Sequence, residues 1–276
     1  MKYTAIELEG NVNVSERSAL KEFFYLTGGI FAIIILFYLL LGFAVDLIVP
    51  RLSIETEEMI GEFFSAKVAE NMELSTDPEL QALLDDLSKG LLYKEGYFRA
   101  SIAPAPDVNA IALPGRDIIV FSELLKEVET ENELAFVLSH ELGHYVHRDH
   151  LRGLGRGLVL IAISITVLGS ESSATDFLFN SLSTVEMQFS QQQESAADLW
   201  ALENLNKKYG HVAGATDFFE KMGRKNEFPE FLTFFSSHPG SENRIKYLNQ
   251  IINEKKYVLK DKTPLKKINT EDIYKN

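Results

Sequence analysis

HELGHYVHRDH, residues 140–150, holds four of the six histidines in a chain of 276 residues. An ordinary solvated helix face has no use for that density, so the reading of these positions decides what the rest of the chain must supply. His140, Glu141 and His144 form an H-E-x-x-H pattern. Side chains four apart on a helix share a face, so His140 and His144 can converge on one ion. Glu141 follows the first histidine and can address a water on that ion without binding the ion itself. Neutral imidazoles suit Zn²⁺, and three protein ligands leave one position for water. The ion lowers the pKa of such a water to about 7, where a nearby carboxylate can take its proton. One zinc ion per chain is expected.

Working outward, the stretch lies inside an expected helix that opens at Thr130. Thr130 and Glu133 have capping-box spacing, and Leu134, Phe136, Val137 and Leu138 supply the apolar positions that bury it. The third ligand has two candidates. His150 has the spacing of H-E-x-x-H-x-x-G-x-x-H proteases, but His147 stands where that pattern turns the chain with glycine. If the helix simply continues, ten residues rotate it by about 1000° and carry it about 15 Å along the axis, off the shared face. The second candidate is Glu194 in QQQESAADLWAL, with Asp198 one helical turn later. Glu194 can ligate while Asp198 fixes the free ring nitrogen of a ligand histidine. Glu194 is the stronger candidate. His147 and His211 read as solvated.

Composition bounds the rest. The chain has no cysteine, so disulfide and thiolate chemistry are excluded and a metal must take His, Asp or Glu. A net charge of −13 without a basic block argues against nucleic acid as a partner. Hydrophobic residues make up 46% and charged residues 24%, which suits a globular chain. One segment departs from that picture. Leu26–Val45, LTGGIFAIIILFYLLLGFAV, carries no charge and at about 1.5 Å per residue spans roughly the 30 Å core of a bilayer. It exceeds a signal-peptide core and lacks a small-x-small cleavage site, so an uncleaved single-pass anchor over residues 26–49 is expected, in contact with lipid. Arg17 and Lys21 on one side nearly balance Arg51 and Lys67 on the other, so charge favours neither orientation.

The expected organisation is a polar arm over 1–25, the anchor over 26–49, a domain over 50–254 and a Lys-rich, solvated tail over 255–276. Residues 55–72 have helical spacing. Asp77 and Pro78 open another helix whose Leu80, Leu83, Leu84 and Leu87 share a face. Tyr97–Ala103 reads as a strand, and residues 109–113, the PGRD turn and residues 118–121 read as a hairpin. LRGLGRG (151–157) should loosen the chain, and the apolar run 158–169 is too short to span a bilayer, leaving a buried helix or a half-inserted one. Residues 177–206, 216–224 and 241–254 read as helices.

One further motif is SHPGSENRIKYL, with His238 and Arg244. Taken alone, His238 reads as an exposed cap of a turn, although a histidine near a hydrolytic zinc can donate to an oxyanion. HELGH, ESAAD and HPGSENR in that order, preceded by NAIALPGRDIIVFSELL (109–125), resemble the HtpX-like and CAAX prenyl endopeptidase family of membrane-linked zinc proteases, over about residues 75–250. Arg116 and Asp117 stand where that family tends to have a further small residue, and Gln191–Gln193 where a more charged run is common. The resemblance implies His140, His144 and Glu194 as zinc ligands, Glu141 as general base, and Asp198 as the partner of a ligand histidine. It also implies an active-site role for His238 and a supporting one for Arg244. Asn109, Ala110, Ile111 and Ala112 would form the strand that binds an extended peptide, and a free strand edge does offer N–H and C=O groups to any peptide.

The expectation is therefore an α+β, mainly helical, zincin-like domain with a small antiparallel sheet and an N-terminal transmembrane helix, acting as a zinc endopeptidase on protein or peptide substrates. Two alternatives stand beside it. One is a membrane-anchored chaperone or scaffold whose zinc is structural or latched by His238. The other is a protease ligated by His150.

Overall fold

The computed structural model describes residues 18–91, 96–169, 172–175, 177–178, 189–224, 237–239 and 241–268. Most of the polar arm, part of the expected helix over 177–206 and the last residues of the tail lie outside that set. The chain divides into two units between Ala44 and Val45. The described part of the first is one apolar helix. Helix α1, Ala19–Ile48, starts earlier than the apolar run alone suggests. The stretch Leu20–Arg51 is long and apolar enough to cross a membrane, and only 22% of its most apolar window is buried. A core helix of that composition would be covered; here Ile33, Leu36, Leu39 and Phe43 are all exposed.

The second unit is mainly helical with one small sheet. A 3₁₀ turn, Val49–Arg51, leads to α2, Ile54–Asn71, capped by Ser53. Helix α3, Pro78–Leu87, starts as expected: Asp77 accepts the N–H of Glu79 and Leu80, and the four leucines are buried. Strands β1 (Arg99–Ala103), β2 (Ala110–Ala112) and β3 (Asp117–Phe121) form a sheet in the order β1-β3-β2. The β2–β3 hairpin is antiparallel, but β1 joins β3 in parallel, so the sheet is mixed rather than wholly antiparallel. The chain leaves β1, crosses to the far edge, and returns through the hairpin into the centre. All five residues of β3 are buried, which matches its unbroken apolar run Ile118–Phe121. The hairpin turn is clamped where α2 crosses it. Gly115 has φ 94°, and a side-chain carbon on Gly61 would sit 2.1 Å from Gly115 Cα, so both positions need glycine. Tyr97 and Tyr145 donate to Gly115 O.

Helix α4, Ser122–Glu127, leads into α5, Glu131–Val146, the centre of the domain. Every residue from Asn132 to Tyr145 is buried. Thr130 caps its start through Glu133 N–H at 3.3 Å, but the Glu133 carboxylate accepts from Glu129 N–H and pairs with Lys221, so only half of the expected capping box forms. The C-terminal segment supplies what is missing. Thr263 O accepts Glu131 N–H at 3.0 Å and Asn132 Oδ1 accepts Thr263 N–H at 2.7 Å, while Leu265 and Ile268 pack on the core. Residues 257–268 are thus mostly solvent-exposed but tethered to the domain at Thr263 by the orphan donor of the α5 N-terminus, with Tyr257, Leu265 and Ile268 partly buried.

Helix α5 stops at Val146. Arg148 takes a left-handed conformation at φ 57°, and α6, Asp149–Leu168, starts at once. The glycines of 151–157 do not loosen the chain. Leu151 packs with Val45 and Val49, and Gly155 lies so close to Val45 that a side-chain carbon would come within 2.4 Å of it, so packing outweighs the poor helix propensity. Among the described residues, α8 (Asp217–Arg224) and α9 (Ser241–Lys255) lie close to their expected ranges, whereas α7 (Gln191–Tyr209) starts well after residue 177, because Phe189 and Ser190 are not helical and Ser190 caps a new start.

Helices α5 and α7 touch backbone to backbone at Gly143, where a side-chain carbon would lie 2.9 Å from Ala197 Cα. Gly143→Ala gains helix propensity but overpacks this crossing, for a net cost of about 1–2 kcal/mol. A lower midpoint in urea unfolding of the detergent-solubilised protein checks this, with an unchanged m-value.

Candidate metal centre

The crossing of α5 and α7 brings the histidine face of one helix against the first turn of the other. His140, His144 and Glu194 each offer an atom within 4.8 Å of the others, and His238, just before α9, joins them. All four are buried. The start of α7 is fixed by a full capping box between Ser190 and Gln193, and a carboxylate in that first turn also meets the positive end of the helix dipole.

The rings are oriented by carboxylates. Asp198 Oδ1 lies 3.0 Å from His140 Nδ1, and Asp149 Oδ2 lies 3.0 Å from His144 Nδ1. A carboxylate there accepts the Nδ1 hydrogen and leaves the Nε2 lone pair facing inward. The two Nε2 atoms then stand 3.0 Å apart, with Glu194 oxygens 3.2 Å from His144 Nε2 and 3.5 Å from His140 Nε2. Inward-facing acceptors at such range repel unless a cation or a proton lies among them. Ligands about 2.0–2.1 Å from a tetrahedral ion stand roughly 3.3 Å apart, so the separations suit one. His238 Nδ1 is 3.1 Å from Glu194 Oε1 and 3.3 Å from His140 Nε2.

Arg244, from α9, is buried. Its Nε and Nη2 donate to Asp198 at 2.8 and 2.7 Å, its Nη1 pairs with Glu194 at 2.5 Å, and its guanidinium lies 4.2 Å over the Phe219 ring. The carboxylates of Glu194 and Asp198 thus meet one guanidinium, while Glu141 and Asp149 also lie beside the cluster. With neutral imidazoles the carboxylates outnumber that cation, and a divalent ion would offset the excess negative charge. The donor set of imidazole nitrogens and a carboxylate suits Zn²⁺.

Burial and the nearest charged partners together set the titration of the groups. His140 is pushed down to about 3 by burial and by Arg244, which keeps its ring neutral. Burial also opposes charge on His144, but Asp149 and Glu194 outweigh it and hold it up to about 9. Burial raises Glu141 above the usual carboxylate range. Burial would raise Glu194 and Asp198 too, yet both stay low, because His238 and His140 face the first and Arg244 the second.

Glu141 points from α5 to β2. Its Oε2 accepts Ala112 N–H at 3.1 Å, and its Oε1 is 3.7 Å from His238 Nε2. Along β2, Phe121 N–H bonds to Asn109 O and Leu113 N–H to Asp117 O, so the odd positions face β3 and the N–H groups of Ala110 and Ala112 face away. The Ala110 N–H is taken by Asn109 Oδ1 at 2.9 Å. Asn109, Ala110 and Ala112 are buried, and the outward N–H groups of this edge are both taken within the chain, one of them by Glu141.

His150 lies elsewhere. Its ring stacks on Tyr145, and its Nε2 sits 3.1 Å from the buried Glu57 Oε1. The chain does turn after the histidine helix, through Arg148 and without glycine, yet the turn aims His150 at α2. His147 ends α5 half-buried. His211 is buried rather than solvated and accepts Ala213 N–H at 3.2 Å. Two residues that sequence reasoning missed are Asp149 and Phe189. Phe189 stacks on His144 with centroids 3.9 Å apart. Asp149 had a signal in its own stretch, a carboxylate close after a ligand histidine, but only the Arg148 turn brings it back to the ring.

Comparison with known proteins agrees with this constellation. The sequence model of Peptidase family M48 matches residues 74–252, which includes α3, the sheet and every residue of the cluster. Metalloprotease LoiP of Escherichia coli is 33% identical over 151 residues, covering 52% of this chain and 58% of LoiP. The mitochondrial metalloendopeptidase OMA1 of Bos taurus is 27% identical, covering 55% of this chain and 32% of its own. The Beta-barrel assembly-enhancing protease of Yersinia pestis is 24% identical over 224 residues, covering 74% of this chain and 46% of its own. The chain thus spans less than two thirds of the length of these curated relatives. With two thirds of its own length under the family model and the histidine–carboxylate cluster inside that range, the chain belongs to peptidase family M48.

Proposed function

We propose that the protein is a membrane-anchored, zinc-dependent endopeptidase that hydrolyses peptide bonds of extended or misfolded protein chains. Residues 26–49 are the single-pass anchor and residues 50–254 the catalytic domain. The observation that carries this reading is the position of Glu141, bonded to the outer edge of β2 on one side and adjacent to the His140–His144–Glu194 cluster on the other. Base, ion donors and peptide-binding edge meet at one point.

In this reading His140, His144 and Glu194 hold the ion. A bound zinc would polarise the scissile carbonyl and make a water acidic enough to lose a proton at neutral pH. The substrate lies extended along Asn109–Ala112, where its carbonyl takes the Ala112 N–H from Glu141. Glu141 accepts the proton of the attacking water and passes it to the leaving amine. His238 donates to the oxyanion as charge develops there. Asp198 keeps the His140 ring aligned, and Arg244 keeps Asp198 and Glu194 in place.

The position of His238 favours a second reading as well. Its Nδ1, near Glu194 and His140, is placed as a fourth donor, and a site with four protein donors is closed to water. The protein would then be a latched protease, or a scaffold with structural zinc.

Four variants test these roles. Glu141→Gln keeps the metal at wild-type stoichiometry and cleaves an unfolded protein 10²–10⁴-fold more slowly, by gel assay with metal analysis; cleavage at the wild-type rate ends the mechanism. Glu194→Ala loses the metal, whereas His150→Ala retains it; loss in the His150 variant alone would overturn the ligand set. His238→Ala separates the two readings. An oxyanion donor costs about 10²–10³ in kcat with the metal affinity unchanged. A latch instead gives faster cleavage and weaker zinc binding.

A further inference from the structure

We infer that Asp149 is a positioning residue for His144, and that Gln193 holds Asp149 in place. The inference rests on the reading of His144 as a metal ligand. Asp149 is 1% exposed. Its two oxygens are used differently: Oδ2 lies 3.0 Å from His144 Nδ1, and Oδ1 accepts Gln193 Nε2–H at 2.9 Å. The other end of the Gln193 amide accepts Ser190 N–H at 2.9 Å, which is one half of the capping box of α7. One glutamine side chain therefore ties the start of α7, which carries Glu194, to the carboxylate that orients His144, at the start of α6.

The two ligand histidines are supported unequally. Asp198 behind His140 is neutralised by a two-point hydrogen bond from Arg244. Asp149 behind His144 has a neutral amide at 2.9 Å, and the arginine it pairs with, Arg152, is partly exposed and 3.6 Å away. Asp149 therefore keeps more of its charge, makes the His144 ring the stronger electron donor, and fixes its inward Nε2. With Phe189 stacked on the ring face, edge and face of His144 are both pinned.

The test is zinc affinity by chelator competition, with the visible spectrum of the cobalt-substituted protein, on the full chain in detergent. Asp149→Ala is expected to weaken zinc binding 10–100-fold and shift the cobalt bands. Asp149→Asn, whose carbonyl still accepts the Nδ1 hydrogen, should recover part of both. Gln193→Ala should weaken binding several-fold in the same direction. Thermal melts of the metal-free proteins provide the fold control. Wild-type affinity and bands in Asp149→Ala would overturn the inference. So would an affinity loss that tracks a lower metal-free melting temperature and is not recovered by asparagine. Zinc retained by His144→Ala would bring down the ligand assignment itself, and this inference with it.

Discussion

The site depends on one close approach: the backbone contact between Gly143 on α5 and Ala197 on α7. Two small residues let the helices cross at a distance no larger pair would allow, and the contact lies one residue from His144 and three from Glu194. A larger residue at either position would press the first turn of α7 away from the histidine face. The donors need little further adjustment, because each helix start is already fixed. Ser190 and Gln193 fix α7, and Thr130 with the returning segment around Thr263 fixes α5.

Burial makes that approach expensive in another currency. A helix covered from Asn132 to Tyr145 carries Glu133, His140, Glu141 and His144 in its interior. Each must find a partner, since an unpaired buried charge costs several kcal/mol. Glu133 takes Lys221, and the two rings take Asp198 and Asp149. What remains is a surplus of negative charge around two inward-facing nitrogens. The polar groups that make the domain difficult to assemble are those that make it fit to bind a cation, so stability and chemistry share one electrostatic problem.

Much of this was legible in the sequence, for identifiable reasons. Spacing of four puts His140 and His144 on one face, and a carboxylate pair four apart puts Glu194 and Asp198 on another; both are local rules. The Asp77–Pro78 start and the 109–121 hairpin are also written in short stretches. What escaped is what distant packing decides. The parallel placement of β1 depends on the hairpin returning through the middle of the sheet. The helical course of residues 151–157 depends on Val45 and Val49, a hundred residues earlier. The C-terminal segment looked solvated because its lysines are, while Leu265 and Ile268 beneath them are partly buried. The turn at Arg148 is the most instructive case. A non-glycine residue at φ 57° is locally unfavourable, and the Arg148 guanidinium offsets this by donating to Val49 O and Leu52 O at 2.8 Å. That bond, invisible in the local sequence, sends His150 to Glu57 and brings Asp149 to His144.

The hydrogen bond from Ala112 N–H to Glu141 has a consequence for selectivity. In the proposed reading the base and the incoming peptide compete for the same donor. Only a chain that presents an unbonded backbone carbonyl can displace the carboxylate, and a segment already paired within its own helix or sheet has none to give. Discrimination between folded and unfolded client proteins would then be made by main-chain availability. It would need no side-chain pocket, so clients of unrelated sequence could share one site.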